Sequence, residues 1–453
     1  MASRPCRSTS SVRARRGDTA AVTGEAEDWV ARDAAAVWHG FTQMSSYGDN
    51  APIIVAEADG RELIDVDGRR YLDAISSLWV TTLGHRVPEL DQALRDQIDR
   101  VAHSTMLGNG NRVVIELAEA LRAVVPVQGA HVLFASDGAA AVEQALKIAF
   151  QFWANQGVTG RTTYLAFGDA YHGDTIGAIS LGAGGFGTDV FDPLRFPVLR
   201  APSFADPTCF TEAARLVAAH AAELAAVVIE PLVQGAAGMQ LATTEDVAAL
   251  ASVCREHDVL LIADEVAVGF GRTGTLFASE QCGIHPDLLC LGKGLTGGYL
   301  PMSATVASDR VFAAFLGPDL SERTLYHGHS YSGNALAAAV ALRHLQLVTE
   351  GDLLATVRAR AAHLGRRLAE GIAPLAAVGG IRRQGLMVGV ELAPPVEDLR
   401  WGRRVCAGAV ERGVLLRPLG DVIVLMPPLT ITEDEIDRII TVLHDAIVEV
   451  AGP

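Results

Sequence analysis

The sequence predicts an α/β protein whose mostly parallel sheet is covered by helices on both faces. From about residue 88, short apolar runs alternate with stretches of helical periodicity, a pattern typical of parallel strands joined by crossover helices. The runs are apolar throughout, as strands buried on both faces must be. The length of 453 residues suggests two or three structural units. Reactive side chains in such sheets gather where the strands end.

The first helical pattern begins at Pro88, because a proline is tolerated in the first turn of a helix. Further helical stretches are predicted near residues 139–155, 211–223 and 244–257. The strand-like runs are 131–135, 163–167, 225–230, 259–263 and 287–292. Residues 76–345 are therefore expected to form a large domain.

The two ends of the chain have a different pattern. Residues 52–74 suggest short strands, with turns at Asp59-Gly60 and Asp67-Gly68, and residues 352–371 suggest an Arg-rich helix followed by shorter strands. We expect 28–75 and 346–453 to pack together as a smaller α+β domain. Residues 1–27 hold five arginines among Ser, Thr and Ala. A disordered tail or a misplaced start is favoured there over a transit peptide.

Composition excludes several classes of function. The 37 basic and 53 acidic residues give a net charge of −16, which argues against nucleic acid as a partner. No apolar run reaches the ~18 residues of a membrane span. The six cysteines form no CxxC pair, so they are expected to be free thiols in a reducing compartment. The sequence thus predicts a cytoplasmic protein.

Lysine is nearly absent from this chain. Of the 37 basic residues only Lys147 and Lys293 are lysines, and the other 35 are arginines. Arginine cannot form an imine, whereas a lysine amine can once a dry pocket or a neighbouring cation lowers its pKa. Lys293 follows an apolar run and stands between two glycines, while Lys147 lies within a helical pattern and is expected on the surface. Lys293 is therefore the candidate reactive amine, and a solvated loop lysine is the alternative.

Asp264 ends the strand-like run VLLIA and is the second candidate. Such a carboxylate could bind a metal, act as a base or pair with a buried cation. Metal is disfavoured because no His, Cys or second carboxylate stands at ligand spacing. Pairing with a protonated pyridine nitrogen fits better, since that contact keeps an electron-accepting ring cationic.

Other polar and glycine-rich stretches follow predicted strands. Asp137, Gly138 and Ala139 open a helix, and the N–H groups of a helix start suit a phosphate. Tyr171 and His172 follow the run 163–167, where an aromatic ring could stack on a planar cofactor or belong to the core. Residues 327–334 hold Ser330, which could bind a phosphate oxygen or a polar substrate. Arg417 stands in an apolar setting that suits either a carboxylate ligand or a salt bridge.

Together these residues resemble a known family. The order DEV…GFGRTG…PDLLCLGKGLTGGYLP, from Asp264 past Lys293, is similar to the signature of class III, fold type I, pyridoxal-phosphate aminotransferases. The resemblance covers the chain from about residue 37 to its C-terminus. It implies a mostly parallel seven-stranded sheet in the large domain, pyridoxal 5′-phosphate as cofactor, and a homodimer with shared active sites.

The resemblance also assigns roles to residues. It implies that Lys293 forms the internal aldimine, that Asp264 bonds the pyridinium nitrogen and that Tyr171 stacks on the ring. It further implies a cofactor site and a substrate pocket. The remaining cofactor residues would be Asp137, Gly138, Ala139, His172, Glu230 and, from the neighbouring subunit, Ser330. The substrate residues would be Phe41, Trp79, Tyr171, Gly328, Lys293 and Arg417.

Within the class, stretches such as WHGFTQM (38–44) and LRPLGDVIVLMPPLTIT (416–432) resemble the branch that aminates 8-amino-7-oxononanoate in biotin biosynthesis. Three positions depart from the members that use S-adenosylmethionine as donor, because Phe41, Leu78 and Val424 stand where those members carry Tyr, Trp and Tyr. L-lysine is therefore favoured as donor. Asp137 also departs, since the family usually has serine there. Its carboxylate would repel a phosphate unless it turns away or caps the helix.

Four alternatives remain at this stage. One is a class III transaminase acting on an ω-amino acid, ornithine or 4-aminobutyrate. Another is an aminomutase or decarboxylase of the same superfamily. A third is a cofactor-free scaffold, which intact Lys293 and Asp264 disfavour. The weakest is a nucleotide dehydrogenase, suggested only by the glycine run at 180–187, which has no acidic residue at the required distance.

Overall fold

The structure is a computed structural model that describes residues 28–50, 52–182, 187–396 and 399–452. The predicted tail, residues 1–27, lies outside the described residues, as do residues 183–186 of the glycine run. The described residues up to Ile54 form one compact unit, and those from Val55 onward form another.

The strands in chain order are β1 Val55–Asp59, β2 Glu62–Asp65, β3 Arg70–Asp73, β4 His131–Ala135, β5 Thr163–Phe167, β6 Leu199–Ala201, β7 Leu224–Ile229, β8 Val233–Gln234, β9 Gln240–Leu241, β10 Leu260–Asp264, β11 Leu288–Leu291, β12 Ser303–Ala307, β13 Val378–Gln384, β14 Met387–Leu392, β15 Val414–Leu415, β16 Arg417–Leu419 and β17 Val422–Leu425.

The helices are α1 Trp29–Ala36, α2 Ser76–Trp79, α3 Pro88–Ile98, α4 Arg112–Val124, α5 Gly138–Asn155, α6 Ile176–Leu181, α7 Cys209–His220, α8 Thr244–Glu256, α9 Ala278–Gln281, α10 Asp309–Ala313, α11 Ala335–Thr349, α12 Leu353–Gly371, α13 Trp401–Glu411 and α14 Glu433–Ala451. Short 3₁₀ turns cover Met44–Ser46, Gly48–Asn50, Thr188–Leu194 and Lys293–Thr296.

The central sheet has seven strands in the order β4-β12-β11-β10-β7-β5-β6. Neighbouring strands run parallel except at β12, which is antiparallel to both β11 and β4. The predicted mostly parallel seven-stranded sheet is therefore confirmed. Because six of its seven strands end at one edge, the loops that follow them, including those after β4, β5, β7, β10 and β11, meet there.

Both faces of this sheet are buried. Leu165, Val227 and Leu261 pack with residues of α7 and α8, whereas their chain neighbours Ala166, Val228 and Ile262 pack with residues of α5. Alternate side chains of a strand point to opposite faces. The uninterrupted apolar runs of the sequence thus have a direct structural cause.

Two four-stranded sheets lie outside the central one. In the first, β1, β2 and β3 are joined by β15, which pairs parallel to β3 with Val414 opposite Leu72. The second is antiparallel, in the order β13-β14-β17-β16. One core contains Leu72 together with Leu364, Val405 and Ile436 from α12, α13 and α14. The domain boundaries at residues 75 and 346 stay a prediction.

In the described ranges, no helix combines the length and apolar character that a membrane span requires. Across the same ranges, no three or more His, Cys, Asp and Glu side chains are grouped so that they could hold a metal ion. The described cysteines Cys209, Cys254, Cys282, Cys290 and Cys406 are free and buried.

Candidate active site

A cavity of about 480 Å³ opens at the edge where the parallel strands end. That volume falls in the range of small-molecule sites. Most of the predicted site residues line it, namely Trp79, Asp137, Gly138, Ala139, Tyr171, His172, Glu230, Asp264 and Lys293.

Lys293 enters the cavity from the turn after β11. Gly292 caps this turn in an extended conformation, and Lys293 itself has a φ of +41°. Burial lowers the pKa of the Lys293 amine, although the carboxylates of Asp264 and Glu230 act in the opposite direction. A buried amine with a lowered pKa is a suitable nucleophile for a carbonyl carbon.

The glycines beside Lys293 lie in close contact with neighbouring side chains. A Cβ atom on Gly292 would lie 3.3 Å from the side chain of Val266, and one on Gly294 would lie 3.0 Å from Phe270. The nearest atoms at both positions belong to side chains of residues that follow β10.

Asp264 is the last residue of β10 and is held from two sides. Its Oδ1 accepts the backbone N–H of Val266 at 3.0 Å, and its Oδ2 lies 2.7 Å from Nδ1 of His172. Burial acts to lower the pKa of His172, but the hydrogen bond to Asp264 and the charges of Asp264 and Glu230 together raise that pKa above its usual value. His172 thus holds the Asp264 carboxyl group in a fixed position in the cavity.

The start of α5 forms another wall. Asp137 is its N-cap and accepts the N–H of Ala140 at 2.9 Å. Of the two conformations considered for Asp137, the structure therefore shows the helix cap. A Cβ atom on Gly138 would lie 2.7 Å from Val266, so only glycine fits there. The free N–H groups and the helix dipole favour an anion at this point.

Glu230 follows β7 and is buried. Its carboxylate accepts N–H bonds from Tyr171 at 3.3 Å and from Gly235 at 3.1 Å. Burial raises the pKa of Glu230 to about 7. Tyr171 follows β5, and its hydroxyl donates to Asp174 at 2.9 Å. This bond fixes the edge of the Tyr171 ring beside the cavity.

Trp79 reaches the cavity from an unusual backbone turn. Ser76, Ser77, Leu78 and Trp79 have φ values of 50°, 47°, 78° and 71°. A left-handed helical conformation costs L-residues roughly 1–2 kcal/mol each. The Trp79 ring is buried, and its centroid lies 5.4 Å from Nζ of Lys293.

Four predicted site residues do not line this cavity. Gly328 and Ser330 lie on an exposed loop, where the carbonyl of Ser330 accepts a bond from His103 at 2.8 Å. Phe41 is exposed and belongs to the unit before Val55. Arg417, at the start of β16, is exposed, but its charge acts on the phenol of Tyr171.

Sequence reasoning overlooked Asp174 and Val266, which also line the cavity. Asp174 stands three residues after Tyr171 in the same loop, so the loop itself was the available signal. Val266 packs against Gly138 and Gly292, and no local sequence pattern predicts these contacts.

The residues of the cavity fit pyridoxal phosphate. The Lys293 amine suits its aldehyde, the fixed Asp264 carboxylate suits a protonated ring nitrogen, and the start of α5 suits its phosphate. Gly138 supports this fit, because it lines the cavity at the helix start without a side chain. The Asp137 carboxylate is the one unfavourable neighbour for the phosphate among these groups.

The chain matches the family described as "Aminotransferase class-III" over residues 43–447. It therefore belongs to the class-III aminotransferases. The predicted family, enzyme class, fold type and pyridoxal-phosphate cofactor are confirmed.

Particular relatives are similar over most of their length. The chain is 48% identical to the adenosylmethionine-8-amino-7-oxononanoate aminotransferase of Nitratidesulfovibrio vulgaris, covering 92% of this chain and 81% of that protein. It is 41% identical to the protein of the same name from Geobacter sulfurreducens, covering 94% and 98%.

Solved structures show the same likeness. The Methanocaldococcus jannaschii protein of that name superposes with a TM-score of 0.89 at 38% identity, covering 92% of this chain and 98% of that one. An amine transaminase from an uncultivated Pseudomonas species, in its PLP-bound internal aldimine form, gives 0.87 at 32% identity, covering 91% and 98%.

Replacing Asp137 with serine is expected to tighten cofactor binding about 10-fold. Serine keeps the helix cap and removes a negative charge beside the phosphate, and like charges near 4 Å cost about 1 kcal/mol even in water. Titration of the apoenzyme, followed by visible absorbance, measures the affinity. Pyridoxal without its phosphate is the control and should bind both proteins equally. Equal affinities for pyridoxal phosphate would show that Asp137 does not act on the phosphate.

Glu265 is expected to make stability fall with rising pH. Burial raises its pKa to about 7, although it accepts N–H bonds from Ala278 and Ser279. A raised carboxyl pKa contributes stability below the unfolded value near 4.5, and this is lost as pH rises to about 7. Thermal unfolding of Glu265→Gln between pH 5 and 8 should show a shallower decline than wild type. Exposed Glu57→Gln should keep the wild-type slope; an unchanged slope in Glu265→Gln would refute the assignment.

Proposed function

We propose that this aminotransferase transfers an amino group to the 7-keto group of 8-amino-7-oxononanoate, forming 7,8-diaminononanoate for biotin biosynthesis. The observation that carries the proposal is the shared cavity of Lys293 and Asp264. The names of relatives at 48% and 41% identity support the choice of substrate.

Each residue of the cavity has a distinct task in this proposal. Bound pyridoxal phosphate supplies an electron sink next to the reacting carbon. Lys293 would hold its aldehyde, and the Lys293 amine would take a proton from the donor carbon and return one, as base and acid. Asp264, held by His172, keeps the ring nitrogen protonated. Tyr171 would stack on the ring, and the N–H groups of Gly138 and Ala139 would hold the phosphate.

The substrate is held by its chain and its carboxylate. Trp79 gives a flat apolar wall near Lys293, which suits the aliphatic chain of the keto acid. Arg417 begins β16, and its guanidinium is exposed and close enough to act on Tyr171. A guanidinium binds a carboxylate through two parallel hydrogen bonds. We therefore assign the far carboxylate to Arg417.

Replacing Arg417 with alanine should raise the KM for 8-amino-7-oxononanoate by about 10- to 100-fold, because a hydrogen bond to a charged group contributes about 1.5–3 kcal/mol. Steady-state kinetics measure this effect, and kcat should fall less. An analogue that lacks the carboxylate should be used equally by both proteins. Arg412→Ala, which removes an exposed partner of Glu449, is the matched control. A KM unchanged by Arg417→Ala would overturn the assignment.

The amino donor in this proposal is L-lysine, with S-adenosylmethionine as the alternative that the relatives' names favour. Leu78 is half exposed and Phe41 is exposed. As leucine and phenylalanine, these residues lack the indole and the hydroxyl found in the S-adenosylmethionine branch. Val424 is fully buried in β17, so its side chain is weaker evidence about the identity of the donor.

The test incubates holoenzyme with 8-amino-7-oxononanoate and one donor at a time, and detects 7,8-diaminononanoate by mass spectrometry. Product with L-lysine supports the full proposal. Product with S-adenosylmethionine alone keeps the acceptor and corrects the donor. Turnover with ornithine or 4-aminobutyrate, and no diamine from either proposed donor, would contradict the function.

We also propose a cytoplasmic homodimer in which Ser330 and Gly328 serve the neighbouring active site. Their loop is exposed and does not line the cavity of its own chain. Exposed Tyr326, Tyr331 and Leu107 lie in or near this loop, as expected of a surface that a second copy covers. Sedimentation of the holoenzyme tests the dimer.

A further inference from the structure

We propose that Asp73 is a positioning residue, whose buried carboxylate holds residues 76–79 in a left-handed turn that carries Trp79 to the Lys293 amine. The proposal depends on Lys293 as the amine that binds the cofactor. It does not depend on the choice of substrate or donor.

The turn needs an external support. Four consecutive non-glycine residues, Ser76 to Trp79, have positive φ values, and Ser77 and Leu78 have ψ values of 44° and 51°. This is the left-handed helical region, which L-residues avoid because Cβ approaches the following carbonyl oxygen. Such a conformation persists only where its surroundings enforce it.

Asp73 supplies that support. It ends β3, and its side chain is fully buried. Its Oδ1 accepts the backbone N–H of Ser77 at 2.9 Å, and its Oδ2 accepts the Ser77 hydroxyl at 2.7 Å. Nε2 of His85 lies 3.1 Å from the same Oδ2, and the buried guanidinium of Arg272 attracts the carboxylate. Asp73 is thus held in place by its own contacts, and it binds the turn at Ser77.

The other side of the turn is bonded to Met426, the residue that follows β17. The hydroxyl of Ser76 donates to the carbonyl of Met426 at 2.7 Å, and the N–H of Met426 donates to the carbonyl of Ala74 at 2.8 Å. These bonds fix the start of the turn, while Asp73 stabilises its left-handed conformation.

The left-handed conformation of the turn determines the position of the Trp79 side chain. In the observed turn its ring packs on Gly235, where an added Cβ would lie 3.2 Å from the ring, and its centroid is 5.4 Å from Nζ of Lys293. A right-handed turn over the same residues would direct the side chain elsewhere. The amine would then lose the wall that orients it and keeps water away.

The experiment follows the covalent attachment of pyridoxal phosphate to Lys293 after mixing with apoenzyme, by stopped-flow visible absorbance. Asp73→Asn and Trp79→Ala should each slow attachment about 10-fold, since small misplacements of a reacting group cost this much or more. If Asp73 acts through Trp79, the double variant should be no slower than the slower single one. Independent roles would instead multiply to about 100-fold.

Glycine rescue separates positioning from general damage. Glycine adopts positive φ at no steric cost, so Ser77→Gly added to Asp73→Asn should recover much of the lost rate. Asp65→Asn is the matched control, because Asp65 is also buried but contacts Tyr71 and the turn at Asp67 and Arg69. It should leave the rate unchanged.

Three results would each overturn the proposal. They are multiplicative slowing of attachment in the double variant, no recovery of the rate on adding Ser77→Gly, and an equal loss of rate in Asp65→Asn. Should Asp73→Asn not fold, Ser77→Ala removes only the hydroxyl bond and should slow attachment in the same non-additive way with Trp79→Ala. Wild-type enzyme that attaches the cofactor but forms no diamine would refute the proposed function alone.

Discussion

A Lys293→Ala variant is expected to show no visible band of covalently bound cofactor and less than about one thousandth of wild-type turnover. The chain has only one other lysine, Lys147, and it lies exposed on α5. No second amine lines the described cavity, so nothing can replace Lys293 as the group that binds the aldehyde and moves the proton. Absorbance of the reconstituted protein and a turnover assay measure the two losses.

Two control variants sharpen this prediction. Lys293→Arg keeps the positive charge but cannot form an imine, so it should fail as completely as alanine. Lys147→Ala should keep the visible band, because that amine contacts the carbonyl of Tyr326 and Nδ1 of His327. A normal band in Lys293→Ala would contradict the account.

Asp264→Asn is expected to lower kcat/KM by about 100- to 1000-fold, the loss typical when one fixed electrostatic partner is removed from an active site. The amide keeps the shape of the side chain and can still bond to the N–H of Val266. It carries no charge, so it cannot hold the ring nitrogen in its protonated form. Cofactor should still attach to Lys293, which separates this defect from that of Lys293→Ala.

The control for Asp264 lies at the opposite edge of the same sheet. Asp287 is a partly buried carboxylate, and it accepts the N–H of Leu261 near the start of β10. Asp287→Asn should lower the melting temperature and leave kcat/KM nearly unchanged. A similar loss of kcat/KM in both variants would mean that Asp264 is only structural.

The central sheet was predictable because burial on both faces leaves a strong signal. The runs 131–135 and 163–167 coincide with β4 and β5, and the other three differ from β7, β10 and β11 by a residue or two. The strands β6 and β12 were missed. β6 has three residues, and β12 has the sequence SATVA, whose Ser and Thr are buried by long-range packing that a local pattern does not show.

The site was predictable where chemistry restricts the residue type. Lys293 and Asp264 stand out because an amine and a carboxylate at strand ends have few structural uses. The winding of residues 76–79 was not predictable, since Ser, Leu and Trp do not favour positive φ. A local contact with Asp73 and a distant contact with Met426 accompany it. The positions of Ser330 and Phe41 relative to a cofactor stay predictions.

The most direct measurement reduces the holoenzyme with borohydride, digests it and maps the pyridoxyl phosphate by mass spectrometry. With two lysines in the chain, the outcome is nearly binary. The added mass is expected on the peptide that contains Lys293 and nowhere else. Label on Lys147, or no label in a protein that turns over substrate, would contradict the account.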